Sequence, residues 1–164
     1  MKPSVVTPGD PGIPAAEATA REARDIDILA RTIWGEARGE SVRAMEAVAA
    51  VILNRARISR AKGGFWWGHG IAEICQKPFQ FSCWNPNDPN RNKLLSVGAD
   101  DRHFAIALRI ATRAVRGALG DPTGGAEHYH ARAILPDWAR GRERSAAIGG
   151  HIFYRLTGRQ GVTA

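Results

Sequence analysis

Glu36 stands where a carboxylate is costly. In the segment Ile33-Trp34-Gly35-Glu36-Ala37-Arg38-Gly39-Glu40 it lies close to a tryptophan and is bracketed by glycines. Ile26, Leu29, Ala30 and Ile33 recur at i, i+3, i+4 and i+7, the face that an amphipathic helix buries. One more turn brings Glu36 onto that face. A carboxylate there must be paired, hydrogen-bonded or held for chemistry. Held for chemistry, it is a general acid, because burial disfavours the ionised form and raises the pKa toward neutrality. The flanking glycines would let a substrate chain approach the backbone closely. The competing reading pairs Glu36 with Arg31, Arg38 or Arg55 as a staple between helices, and this segment alone favours the staple.

Other residues suit a polar groove. Gln80, Ser82 and Trp84 sit in a stretch without apolar periodicity, where an amide, a hydroxyl and an indole can meet a sugar by hydrogen bonds and stacking. Phe81, between them, is read as an anchor to the core. Asn54 follows an apolar run and either orients Glu36 or satisfies a backbone carbonyl. Of Trp66 and Trp67, one is expected on a stacking rim and one in the core. Glu40 and Asp88 are the candidates for a second carboxylate. Gly39 and a helix break argue against Glu40 sharing a face with Glu36, so Glu40 is read as a cap or a partner of Arg38 or Arg43. His128, His130 and His151, with Glu127, raise a zinc reading, since His-x-His on a strand puts both rings on one face. The H-E-x-x-H spacing is absent and the two cysteines do not form a zinc pair, so neither a metal nor any other cofactor is expected. Cys75 and Cys83 fit a disulfide or two buried thiols equally well.

The elements that must position these residues can be read along the chain. Residues 1–22, with Pro3, Pro8, Pro11 and Pro14, read as a flexible arm, the first helix starting between Pro14 and Asp25. Residues 23–157 form the expected catalytic domain and 158–164 a short tail. The first helix ends near Gly35 to Gly39. A second starts at Glu40 or Ser41 and runs to about Arg57, and its centre, Ala47 to Leu53, is apolar on every side and belongs in the middle of a fold. A short helix is expected near Ile71 to Gln76, then an irregular stretch from Pro78 to Asn92. Phe104, Leu108, Ala111, Thr112, Val115 and Leu119 make a further helical stripe, closed by Gly120-Asp121-Pro122. Residues 126–134 and 148–156 alternate and read as strands. The expected class is α+β, mostly helical, with a small C-terminal β-containing lobe.

Composition sets wider bounds. The 164 residues fit one domain, and no apolar run reaches the length of a membrane span. A formal charge of +7 attracts polyanions of any kind. The basic residues are scattered and no helix-turn-helix, zinc-finger or RNP-type motif is present, so no specific nucleic-acid partner is expected. The N-terminus lacks an apolar h-region. Delivery by a phage-like particle or holin-type release, with a phage-tail or delivery partner for the arm, is therefore an expectation.

The blocks "ARTIWGEARGE" (Ala30 to Glu40), "AVAAVILNR" (Ala47 to Arg55), "ICQKPFQFSCW" (Ile74 to Trp84), "HYHARAILPDWA" (His128 to Ala139) and "IGGHIFY" (Ile148 to Tyr154) closely resemble the SleB/CwlJ family of cell-wall hydrolases. The blocks keep that family's order over roughly Ile28 to Leu156. Ala44, where many relatives have glycine, is one departure. The resemblance implies a lysozyme-like or lytic-transglycosylase-like helical core that acts on peptidoglycan glycan strands at the cell wall, in the periplasm or outside the cell. It implies Glu36 as the catalytic acid, cleaving between N-acetylmuramic acid and N-acetylglucosamine to leave 1,6-anhydro-muramic ends. Tyr129, His130 and Trp138 fall in its C-terminal block as candidates for the opposite wall of the groove. A hydrolytic muramidase with a second carboxylate, a zinc amidase and a non-catalytic wall-binding module are the alternatives.

Overall fold

A computed structural model describes residues 14–157, so the first thirteen residues of the expected arm and the expected tail lie outside the described residues. The arm's proposed boundary at residue 22 is corrected. Helix α1 spans Ala15–Ala37 and takes in residues 15–22, because Ala15, Ala16, Ala18 and Ala20 are strong helix formers and Glu17 complements the helix dipole in the first turn. At its far end Arg38 turns to extended backbone, and Gly39 adopts φ +84°, a left-handed conformation that costs glycine nothing. The chain then restarts as α2, Val42–Ala61, with the Ser41 hydroxyl accepting from the Ala44 N–H at 3.1 Å. Ser41, not Glu40, is the cap, and α2 runs one turn beyond the expected end.

The apolar centre of α2 is enclosed as its composition demands: Ala47, Val48, Ala49, Val51 and Ile52 are fully buried. One side packs on α1 and on α5, Arg102–Val115, in the main core with Leu29, Ile33, Trp34 and Ile110. Asp101 caps α5 by accepting from the Phe104 N–H at 2.9 Å, and also accepts from the Trp34 indole at 3.3 Å. The expected stripe stops short of Leu119, because Gly117 at φ +75° ends the helix. Helix α3 is Ile71–Gln76, as expected. The stretch read as irregular holds more order than its Asn and Pro content suggested: a 3-10 turn at Ser82–Trp84, and just beyond it α4, Arg91–Ser96, which buries Leu94.

Three short strands form an antiparallel sheet in the order β1-β3-β2: His128–Ala131, His151–Tyr154 and Ala146–Ile148. β2 has no counterpart in the sequence reading. Pairing Tyr129 with Phe153 and Ala131 with His151 sets these residues on one face, while His128, His130 and Tyr154 take the other. The sheet meets the second side of α2 through a smaller cluster of Ala44, Ala47, Val51, Ala126, Ile148 and Phe153. The alanines let the backbones come close. A Cβ on Gly149 would lie 2.9 Å from the Ala44 methyl, so Ala44 and Gly149 divide one small space.

Gly35 performs a similar service on α1. A Cβ there would meet the Cys83 Cβ at 2.7 Å and Sγ at 2.9 Å. The absent side chain lets the 82–84 turn lie directly on the helix beside Glu36. Gly35→Ala is expected to lose about 1–3 kcal/mol in a urea titration, since overpacking outweighs the better helix propensity of alanine.

Candidate active site

Glu36 sits in the last turn of α1, half-buried, with its backbone held by the helix. Its Oε2 accepts a hydrogen bond from the Tyr129 hydroxyl at 3.3 Å, across 93 residues of chain. Its Oε1 is buried and has no hydrogen-bond partner among the described residues. Burial pushes the Glu36 pKa up. The Cys83 thiol and N–H and the Tyr129 hydroxyl pull the other way, and the charge of Asp88 adds to the rise. Burial prevails, so the pKa lies above its ordinary value.

The staple reading fails on the arginines. Arg31 donates to the Asp27 carboxylate and to the carbonyls of Leu94 and Val97 at 3.1, 2.8 and 3.0 Å. Arg38 stacks its guanidinium 4.0 Å above the Trp34 ring. Arg55 is buried between Trp67 and Phe81 and donates to the Glu127 carbonyl at 2.7 Å and to Gln80 Oε1 at 3.2 Å. No cation is hydrogen-bonded or ion-paired with Glu36 among the described residues.

Ser82 lies in the turn whose Cys83 approaches Glu36. With Cys83, Asp88, Asn90, Arg38 and Trp34 it lines a polar cavity of about 60 Å³ that Gly35 opens onto. Gln80 is half-buried and held by Arg55 on the same loop. Tyr129 is present too, but as a direct partner of the acid, with its own pKa raised well above 10 by burial and by the Glu36 charge.

Four other candidates are held in structural contacts away from Glu36, Asn54 by the backbone carbonyl that was its alternative reading. Asn54 does not orient Glu36: its amide donates to Asp121 at 3.0 Å and to the Ala126 carbonyl at 2.8 Å, tying α2 to the segment before the sheet. Trp84 spends its indole N–H on the Thr32 hydroxyl at 3.0 Å and packs on the main core, as Phe81 does. His130 and Trp138 lie with His128 and Tyr154 on the sheet face opposite Tyr129, in one aromatic cluster with ring separations from 5.3 to 5.7 Å. Strand alternation separates them from the acid, a consequence readable in His-Tyr-His itself.

The remaining expectations resolve in the same way. Trp67 is fully buried, the expected core member of the pair, and Trp66 is 55% exposed. Glu40 pairs with neither Arg38 nor Arg43. Its Oε1 accepts from the Gly150 N–H at 2.7 Å, and its Oε2 lies 3.5 Å from His151 Nδ1. The proposed zinc ligands do not converge, since His151 is on the Tyr129 face and His128 and His130 on the other. Glu127 is fully buried and accepts from the Leu156 and Thr157 N–H groups, the Thr157 hydroxyl and His128, anchoring the chain after β3. Cys75 and Cys83 are both buried free thiols, and burial pushes the Cys75 pKa up to about 12. Sequence reasoning missed the contact of Cys83 with the acid and the Arg55–Gln80 link. Both join residues far apart in the chain or in an aperiodic loop.

The domain is mostly helical, with a half-buried carboxylic acid at a helix end that meets a tyrosine from a small sheet and no cation among the described residues. Comparison with known proteins identifies its family. A family model described as cell wall hydrolase matches residues 39–154, and the chain belongs to that family. The matched span begins just after Glu36, so the assignment of the acid rests on the geometry above. The spore cortex-lytic enzyme of Halalkalibacterium halodurans is 31% identical over 132 residues, 79% of this chain and 34% of the relative. That of Bacillus subtilis is 30% identical over 79% of this chain and 37% of its own length. The chain thus spans a little over a third of these curated relatives. The crystal structure of the Bacillus cereus SleB catalytic domain superposes with a TM-score of 0.62 at 27% identity, over 81% of this chain and 91% of that one. The catalytic domain of the Bacillus anthracis germination-specific lytic transglycosylase SleB gives 0.61 at 25%, over 92% and 100%. These relatives are bacterial spore enzymes and lend no support to delivery by a phage-like particle.

The raised pKa of Glu36 has a consequence for stability. With the folded-state value above the ordinary 4.5, the native state binds more protons than the unfolded state between the two. Stability from this group is fully present below 4.5 and is lost as pH rises through the folded value. Glu36→Gln, which cannot ionise, is therefore expected to be more stable than wild type at pH 7. The advantage should shrink as urea titrations are repeated down to pH 4.5.

Proposed function

We propose that this domain cleaves peptidoglycan glycan strands between N-acetylmuramic acid and N-acetylglucosamine, as a lytic transglycosylase with Glu36 as its single acid and base. The carrying observation is the state of the Glu36 carboxyl: its pKa is raised by burial, Oε2 accepts from Tyr129, and Oε1 is buried with no aligned hydrogen bond among the described residues, the Cys83 thiol and N–H lying close by. The protonated Oε1 gives its proton to the glycosidic oxygen, and the bond to the muramic anomeric carbon breaks through an oxocarbenium-like transition state. The charge left on Glu36 is met by the Tyr129 O–H at Oε2, a group already in place and needing no reorganisation. The carboxylate then takes the proton of the muramic C6 hydroxyl as that oxygen bonds to the anomeric carbon. The products are a 1,6-anhydro-muramic end and a free 4-hydroxyl on the glucosamine, with the acid restored. Ser82, Gln80 and the polar cavity beside Gly35 line the approach and supply hydrogen bonds to sugar substituents.

One observation favours a second reading. Asp88 lines the same cavity and its charge acts on Glu36, so a water held by Asp88 would give hydrolysis and reducing muramic ends instead. Digestion of purified peptidoglycan with mass-spectrometric analysis of the soluble fragments separates the two. Anhydro-muramic ends are expected from wild type. Glu36→Gln should lower the rate of fragment release by at least about 10²-fold, the lower end of what a general acid contributes. Reducing ends that vanish in Asp88→Asn would establish hydrolysis. No fragments from wild type would leave a wall-binding module.

A further inference from the structure

We propose that Glu40 and His151 are positioning residues that hold Tyr129 against Glu36. This inference rests on Glu36 being the acid. Glu40 lies in the break between α1 and α2, and its Oε1 accepts the Gly150 N–H at 2.7 Å. The turn between β2 and β3 is shaped around this carboxylate, since a Cβ on Gly149 or Gly150 would stand 3.0 or 2.9 Å from Oε1. The other oxygen faces His151 Nδ1 at 3.5 Å, too far for an aligned hydrogen bond, and both atoms are buried with no hydrogen-bond partner among the described residues. His151 in turn meets the Tyr129 ring edge-on, centroids 4.8 Å apart at 76°, with Phe153 behind Tyr129 at 5.6 Å. The Tyr129 hydroxyl completes the series at Glu36 Oε2, 3.3 Å away.

A tyrosine ring on a four-residue strand has few ways to be aimed. Phe153 limits it on one side, and His151 sets the other. The His151 ring is itself free to turn about its side-chain bonds unless Nδ1 is fixed, and the Glu40 carboxylate is the acceptor placed to fix it. The charged and titratable groups acting on His151 are Glu40, Arg132 and His130. Burial depresses its pKa, Glu40 opposes that, and the two others reinforce it. His151 Nδ1 and Glu40 Oε2 are each other's nearest available polar atoms, and a small approach of a neutral ring with its proton on Nδ1 would satisfy both at once. The second carboxylate of the Gly-Glu-Ala-Arg-Gly-Glu run thus acts through a histidine and a tyrosine on the first, and does not touch the sugar.

The test reads Glu36 directly, by a carbon-detected NMR titration of its carboxyl in the folded protein. Four forms are compared: wild type, Tyr129→Phe, Glu40→Gln and the double variant. Glutamine keeps an oxygen for the Gly150 N–H and removes the charge facing His151. Tyr129→Phe removes the hydrogen bond that favours ionised Glu36, so the titration midpoint moves up. Glu40→Gln is expected to move it up as well, with no further rise in the double variant. Loss of a nearby negative charge by itself would move it down, so a downward move, no move or additive moves overturn the proposal. His151→Phe leaves the Glu40 charge and the turn bond in place and must give the same upward move, which decides the matter should Glu40→Gln fail to fold. With peptidoglycan, Glu40→Gln should lower kcat about tenfold at unchanged KM, and a change in KM alone overturns it. The titration needs no turnover, so a wild type that releases no fragments defeats the cleavage reading and leaves the positioning to be judged on the carboxyl alone.

Discussion

Burying one carboxylate without a cation beside it is the constraint on which the molecule is organised. A charged Glu36 would normally be met by an arginine, and Arg31, Arg38 and Arg55 are all near in sequence or in the adjoining helix. Each is occupied elsewhere: by Asp27 and two carbonyls, by the Trp34 ring, and by the Glu127 carbonyl with Gln80. Satisfying the arginines with other acceptors leaves the acid without a cation, and burial then raises its pKa. The neutral donor from Tyr129 opposes that rise without cancelling it.

The frame that maintains this state is α2. Its alanine-rich centre packs against helices on one side and the sheet on the other. Its polar end carries Asn54 and Arg55, whose side chains hold the Ala126 and Glu127 carbonyls at the entry to β1. Those two bonds fix where β1 begins, and so where Tyr129 points. Arg55 is a buried cation that serves as a beam, its guanidinium between two aromatic rings and its donors on backbone and amide oxygens. Removing it would leave a buried carbonyl unsatisfied at the strand start.

Helices with a clear period were readable from the chain. The stripe leading to Glu36, the all-apolar α2 and the Gly39 break are each written in neighbouring residues, and the structure follows them. Helix α4 and the 82–84 turn were hidden because the stretch around them is dense in Asn and Pro and has one buried anchor, Leu94, in place of a periodic face. β2 was hidden because three residues are too few to alternate visibly. Among the site candidates, the partners of Asn54 and Trp84 were hidden for a common reason. Their hydrogen bonds reach partners 67, 72 and 52 residues away, and no spacing rule anticipates which distant acceptor a polar group will meet. The bond from Tyr129 to Glu36 was not foreseen, since only the register of β1 on β3 reveals that it turns inward while its flanking histidines turn away.

The two cysteines, finally, give the domain an indifference to its surroundings. Both are buried, and burial keeps the thiols from ionising, which removes the form that oxidants and disulfides attack. The loop that carries Ser82 and approaches Glu36 is held by packing against Gly35 and Leu94, not by a covalent tie. In this folded state no disulfide bridges the loop, so there is no covalent tie there for a reductant to cut.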